Sequence, residues 1–555
     1  MAGSERPSYD ELAALVVAQA AVIATIEPLR AELARMTERV AELERQLKTN
    51  SRNSSKPPSQ DVYVKPAPKS LRGKTGRGKG KQPGAAGANL KLVDNPDRVV
   101  EHVPSACSGC GTGLRNRPSV DVVRRQVHDL PEITPVVTEH RLHQRRCRCG
   151  VLTTAAAPAE ASAPACYGPN VTALAAYLLT YQHIPIARAA QLLADVLGMN
   201  VSTGWVSSVL RQVAPALQPF TDAVHDAVRR APVAHFDETA LRAAGVRWWL
   251  HSASTEKLTT YLLHPQRGRD AIDAFGVLPG FAGIAVHDGW HPYRTYTEVV
   301  HALCNAHHQR ELIAATETHP DQDWPGLLIG VLDELNVAAH TARDLDLPEL
   351  PAEVLHPMIT RFDKHLADGL NLHPRNHIGH PQGGRPRQTT TRALLERLHK
   401  YRDDVLRFAF DLTVPFTNNQ AERDIRMTKT QLKLAGWRTR TGATTWLTVR
   451  SYISTTRKNG VHTLTALHNA ITGNPWLPTN PSNHLTSYPA APLTTPTTTP
   501  ASRERAEPLL RQMQQRFHSP ATFALPANNR PKHSRPHEQV TFLGPGLGNC
   551  RYSRG

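Results

Sequence analysis

From Leu12 to Leu47, seam positions recur at alternating three- and four-residue steps: Leu12, Leu15, Gln19, Val22, Ile26, Leu29, Leu33, Met36, Val40, Leu43 and Leu47, flanked by Glu and Arg. This seam predicts a coiled coil over 9–49 that joins copies of the chain, with Pro28 weakening its first half by removing a helical hydrogen bond. An amphipathic helix packed on its own protein is the plainer alternative. Helical spacing resumes over 165–225. There Ile186 to Leu197, the turn Gly198-Met199-Asn200 and Ser202 to Leu210, with Ser202 as N-cap, fit a helix-turn-helix or a simple helical hairpin.

Beyond Pro232 the period shortens. One apolar run closes on Asp237, and Val246 to Ala253 and Leu258 to His264 follow across short polar turns, which predicts a three-stranded antiparallel meander. A helix is expected around Asp270 to Phe275, and then an apolar strand from Gly283 that again closes on an aspartate, Asp288. Three strands, a helix and a fourth strand form the opening of a ribonuclease-H-like core, placed at 230–472 with a largely helical insertion at about 313–417. Within that insertion a Gly/Pro/Arg-rich loop, 377–387, is either a nucleic-acid contact or a solvated loop. Helical pattern returns after Gly436 and runs to about Thr472, whereas 473–555, rich in Pro, Thr, Ser and Arg, reads as a disordered tail. The expected class is a multidomain α+β and α/β chain.

Composition adds a partner. The 555 residues carry a formal charge of +17, which favours a polyanion, nucleic acid before an acidic membrane. Within a Ser/Pro/Gly/Lys-rich linker at 50–96, Lys65, Lys69, Arg72, Lys74, Arg77, Lys79 and Lys81 run without an acid between them, as a phosphate-binding arm or a solvated linker. Seven cysteines are too few for a disulfide scaffold. Cys107, Cys110, Cys147 and Cys149 instead offer four thiolates to one structural Zn²⁺ in a module at 97–152. The second pair is tightly spaced, so His140 or His143 stands as an alternative ligand. The uncharged stretch from Leu12 to Ile26 is too short to span a bilayer and has no cleavage site, so the expected location is cytoplasmic, with no membrane partner.

The chemistry is expected at the two aspartates. Neighbouring strands of one sheet bring Asp237 and Asp288 close, where two like charges are tolerable only beside a cation. The segment from Asn418 to Lys429 supplies a third acid: Asn418 or Asn419 is expected to cap a helix on which Glu422, Arg426 and Lys429 share one face. Two Mg²⁺ ions about 3.5–4 Å apart would activate a water or a 3′-hydroxyl and stabilise the leaving oxygen, with Arg426 and Lys429 on flanking phosphates. Glu311, 23 residues after Asp288, is the rival third ligand. Cys304 and His307, three apart on a helix, read as half a metal site or as packing groups, with His307 near the scissile phosphate.

These segments together resemble the DDE transposases of the insertion-sequence sixty-six family. The markers are collinear: the zipper, Asn53-Ser-Ser-Lys-Pro-Pro-Ser59, the paired cysteines, His235-Phe-Asp237-Glu-Thr, His287-Asp288-Gly-Trp290, Cys304-Asn-Ala-His307 and Asn418-Asn-Gln-Ala-Glu422-Arg. The resemblance implies zinc and DNA binding in the N-terminal half, a catalytic core on the three acids, and accessory proteins of the same bacterial element. A tyrosine and an arginine that precede the glutamate in the signature of related transposases are absent, and Asn418 stands where the arginine would. Action on element terminal repeats and target DNA, in a nucleoid-associated setting, is the expectation. A zinc-containing dimeric regulator, a repair nuclease and a catalytically dead copy are the competing readings.

Overall fold

The computed structural model describes residues 8–48, 90–131, 133–375, 388–478, 493 and 500–517. The basic arm from Lys65 to Lys81, the loop 377–387 and most of the tail lie outside these residues. The seam forms one continuous helix, α1 (Tyr9–Lys48), which runs through Pro28 and leaves Leu12, Leu15, Ile26, Leu33, Met36 and Val40 exposed. Two short strands, β1 (Gln144–Arg146) and β2 (Leu152–Thr154), pair antiparallel around the Cys147 turn, and an isolated bridge between Ala106 and Gly113 closes the Cys107 turn.

Four helices precede the sheet: α2 (Pro169–Thr180), α3 (Ile186–Leu197), α4 (Thr203–Ala216) and α5 (Gln218–Arg229). The α3–α4 junction follows its sequence closely. Gly198 ends α3 in the left-handed region at φ 65°, where a side chain is disfavoured, and Ser202 caps α4 by accepting the Trp205 amide at 3.1 Å.

The sheet contains β3 (Val233–Ala243), β4 (Val246–Ser254), β5 (Thr259–His264), β6 (Ile284–His287) and β7 (Val300–Leu303) in the order β5-β4-β3-β6-β7. The meander β3-β4-β5 is antiparallel, and its first hairpin turns on Ala244 and Gly245 at φ 54° and 76°, the double positive φ that matches strand twist in two-residue turns. Helix α6 (Arg269–Phe275) crosses to β6, which lies parallel to β3, and β7 lies parallel to β6. Two expectations need correction. Asp237 does not end its strand, because β3 continues to Ala243 as the partner of β4. The fifth strand, β7, is absent from the sequence reading: its four residues are too few to show a period.

β6 and β7 are buried along their whole length. Ile284 and Val286 face a helical layer of α7 (Asn305–Thr318), α8 (Trp324–Asp344), α9 (Ala352–Leu372), α10 (Thr390–Lys400) and α11 (Arg402–Phe410). Ala285 faces the opposite layer, where α2, α4 and α5 pack with α13 (Arg440–Lys458) and α14 (Thr463–Ile471). α12 (Asn419–Leu434) lies against β3 and β4. Helices α7 to α11 fill the chain between β7 and α12, and a further element covers them. Helix α15 (Pro500–Phe517), inside the segment read as a disordered tail, buries Ala506, Leu509 and Met513 against α8 and α9. Three apolar side chains in a Pro- and Arg-rich stretch gave too weak a composition signal to reveal it.

Gly283 sets how closely β6 approaches the start of β3. A Cβ there would stand 2.3 Å from the Ala231 carbonyl oxygen and 2.6 Å from that of Pro232, both rigid backbone. Gly283→Ala is therefore expected to lose about 1–3 kcal/mol or more of stability, seen as a lower melting temperature. Gly326→Ala, with open space at its Cβ, is the control that stays unchanged.

Candidate active site

Parallel strands share one carboxyl end, and in open sheets ligands bind there. The β3–β6 register pairs His235 with Val286; carried two residues further, it sets Asp237 level with Asp288. Beyond His287 the chain leaves the sheet at Gly289, φ 86°, while Asp288 Oδ1 accepts the Trp290 amide at 2.8 Å. Two histidines fix this exit. The Gly289 amide donates to His287 Nδ1 at 2.9 Å, so the His287 proton sits on Nε2 and is donated to His301 Nδ1 at 2.9 Å; His301 Nε2 then donates to the Tyr296 carbonyl at 3.0 Å. Burial lowers the proton affinity of both rings, which keeps them neutral and the chain of donors intact.

Asn418 brings the third acid to this end of the sheet. Its side chain was expected as one of two possible helix caps, but it makes no capping hydrogen bond. Instead Nδ2 donates to the Phe236 carbonyl at 2.8 Å and Oδ1 accepts from His235 Nδ1 at 2.9 Å, while its backbone amide donates to Cys304 Sγ at 3.1 Å. One buried residue therefore ties the start of α12 to β3 and to the end of β7. The back of α12 is fixed as firmly: Asp424 accepts from Lys458 Nζ at 2.8 Å, and the Tyr261 hydroxyl donates to the Asp424 carbonyl at 3.0 Å. With that face buried, Glu422 is left half-buried toward the sheet end and Arg426 and Lys429 are exposed, as their spacing predicts.

The electrostatics bind these positions into one site. The Asp237 carboxyl is pushed well above the usual carboxylate range by burial and then by Glu238 and Asp288, with Glu422 adding to it. His307 is held low by burial and Arg310, against the pull of Asp288 and Glu422. Glu311 is raised by burial but is engaged by Arg397 in an ion pair; it feels Asp288 as well. Among the three candidate acids and their rival, Glu311 is thus the one already neutralised by a close arginine, whereas Glu422 has only Arg310 at 3.9 Å.

Sequence reasoning gave no role to Glu238, which is buried beside Asp237. Arg267 Nε donates to its Oε1 at 2.9 Å and the Tyr293 hydroxyl donates to Oε2 at 2.5 Å. The Arg267 guanidinium lies between the Trp249 and Trp290 rings, 5.0 and 4.0 Å from their centroids. Glu238 thus anchors Tyr293 and Arg267 stacks on Trp290, which together clamp the loop after Asp288 to β3. The signal for Glu238 was its place after Asp237; nothing in the sequence marked Arg267.

The cysteines form two separate turns. Gly111 and Gly150, directly after each pair, take φ 75° and 90°. Hydrogen bonds with Thr112 lower the Cys110 thiol to about 7, and those from Cys149 lower Cys147, so each turn favours a thiolate. Among the described residues, however, the two pairs do not meet in a three-ligand group, and neither His140 nor His143 joins them; Cys304, His307 and Glu422 do form such a group. The turns are exposed, and without an ion no force draws two exposed thiolate pairs together.

A carboxyl with raised proton affinity favours the fold below its unfolded pKa and loses that contribution as pH rises through its folded value. As pH rises above the usual carboxylate range, holding Asp237 in the metal-free fold therefore costs stability. Asp237→Asn is expected to raise the melting temperature at pH 7 and to leave it unchanged near pH 3; equal melting at pH 7 contradicts the clustered-acid geometry.

Residues 164–445, just over half of the chain, match the family described as Transposase IS66 family, and residues 104–150 match the zinc-finger binding domain of transposase IS66. Residues 5–91 match a family of unknown function. No curated protein matches the chain. With the paired acids at one sheet end and the cysteine turns ahead of them, these matches show that the chain belongs to the Transposase IS66 family and is a transposase of an insertion sequence.

Proposed function

We propose that the sheet end carrying Asp237, Asp288 and Glu422 cuts DNA strands at the element ends and joins them to target DNA. The observation that carries this reading is the parallel β3–β6 register, which, carried past His287, sets Asp237 level with Asp288, together with the tie that Asn418 makes between β3 and the start of the Glu422 helix. The strand order β5-β4-β3-β6-β7, antiparallel through β3 and parallel beyond it, supports the ribonuclease-H-like reading of the core. The donor set fits hard divalent cations: three carboxylates whose mutual repulsion, visible in the raised Asp237 carboxyl, a cation relieves. Two bound magnesium ions would supply Lewis acidity to the scissile phosphate and lower the pKa of an attacking water or 3′-hydroxyl.

The chain's own residues do the positioning. Asp237 and Asp288 hold the ions against a sheet end that cannot shift, and Glu422 completes the set from α12. Arg426 and Lys429, exposed on the same helix face, lie where flanking phosphates would be gripped, and His307, which feels the pull of Asp288 and Glu422, would stand near the reacting phosphate. The arm from Lys65 to Lys81 adds sequence-independent attraction to the DNA backbone. Cys107, Cys110, Cys147 and Cys149 hold one structural zinc ion once the two turns close on it. The exposed stripe of α1 pairs two copies, and the α3–α4 unit reads the element ends. Among the described residues no helix is long and apolar enough to cross a membrane.

The test uses the full chain with Mg²⁺, a pre-cut element end and target DNA. Wild type is expected to join the two, while Asp237→Ala and Glu422→Gln each keep end binding and lose joining by at least ~10³-fold, the scale of losing several kcal/mol of transition-state stabilisation. Hydrolysis without joining, or undiminished joining by Asp237→Ala, overturns the reading.

A further inference from the structure

A ligand set that shares Glu422 with the proposed strand-transfer site lies at the start of α7 and α12. Cys304 closes β7, His307 lies in the first turn of α7 and Glu422 in the first turn of α12, and one ligand atom from each lies within 4.8 Å of the others. Three elements thus deliver a thiol, an imidazole and a carboxylate to one point. The spacing is somewhat wider than a closed tetrahedral shell, with bonds of about 2.0–2.3 Å, requires. A small inward shift of the carboxylate closes it.

Two observations set this group apart from ordinary packing. His307 Nδ1 is buried without a hydrogen-bond partner, and buried polar atoms are otherwise almost always paired, so an orphan asks for an ion or a water. Cys304 Sγ accepts the Asn418 amide at 3.1 Å, the kind of outer hydrogen bond that orients a ligating atom and tunes it for a metal. Glu422 is held only loosely, with Arg310 at 3.9 Å. The donor types also discriminate. A thiolate and an imidazole suit zinc and its neighbours, and magnesium, which prefers oxygen and its own water shell, avoids them.

We propose that Cys304, His307 and Glu422 bind one soft divalent ion of the zinc class, and that this ion withdraws Glu422 from the Asp237–Asp288 pair and so stops DNA cleavage. The same carboxylate would serve two sites, one for hard ions that supports the reaction and one for soft ions that silences it. The inhibitory part rests on the proposed role of Glu422 in cleavage; the binding part does not.

The test loads the full chain with one equivalent of Zn²⁺ to fill the cysteine turns and then titrates Co²⁺, which binds more weakly than zinc and leaves that module occupied. Wild type is expected to develop a near-ultraviolet thiolate-to-cobalt charge-transfer band that saturates at one added equivalent. Cys304→Ser abolishes the band, and His307→Gln, at a half-buried position where folding is less exposed to the change, weakens Co²⁺ binding at least ~10-fold. Asp237→Asn retains the band, because all three ligands remain. No band in wild type, or a band that survives Cys304→Ser, overturns the site while leaving the strand-transfer reading untouched. Loss of joining in Asp237→Ala together with an intact band supports both. If micromolar Zn²⁺ leaves Mg²⁺-supported joining unchanged although the band forms, the inhibitory part is wrong.

Discussion

Like charges gathered in a partly buried site repel, and the architecture around Asp237, Asp288 and Glu422 exists against that repulsion. Burial raises the proton affinity of Asp237, and Glu238, Asp288 and Glu422 add to it. Rigid groups hold the acids in place: parallel backbone register sets two of them level, and a buried asparagine with three hydrogen bonds draws the third alongside. A buried Glu238–Arg267 pair and a chain of neutral histidines hold the loop that follows Asp288. These holding groups are partnered among themselves. A site that is unstable alone and relieved by its cofactor is a common cost of function.

Much of this was legible in the sequence, and what was legible had a period or a local signature. The meander, α6 and β6 show clean alternation or apolar runs bounded by turns, and the α3–α4 junction carries both its glycine and its serine cap. Strand logic led the sequence reading to set Asp237 near Asp288, an expectation that the extended β3–β6 register supports. The strand β7 was too short to announce itself, and α15 exposes so many polar residues that composition hid its three buried ones. The role of Asn418 was misassigned for a specific reason. Residues at that helix position usually cap, and only the fold reveals that β3 takes the side chain through His235 and Phe236 while Cys304 takes the backbone amide. Arg267 is a similar case, since its tryptophan neighbours are brought together by topology.

The peripheral parts follow a different logic. The helical insertion and α15 build a large apolar layer on one face of the sheet, which keeps β6 and β7 fully buried and the sheet end stiff. The cysteine turns are largely exposed and match a zinc-finger domain. Helix α1 exposes an apolar stripe along its length, which a second helix would cover. A sheet packed between two helical layers gives a transposase a fixed platform.

The choice of Glu422 over Glu311 as the third acid carries the account, and it rests on Asn418 holding α12 in place while Arg397 occupies Glu311. Calorimetric titration of Mn²⁺ into the zinc-loaded full chain measures it most directly. Glu422→Gln should lose most of the manganese binding and Glu311→Gln should keep it; the reverse pattern would contradict the assignment of the site.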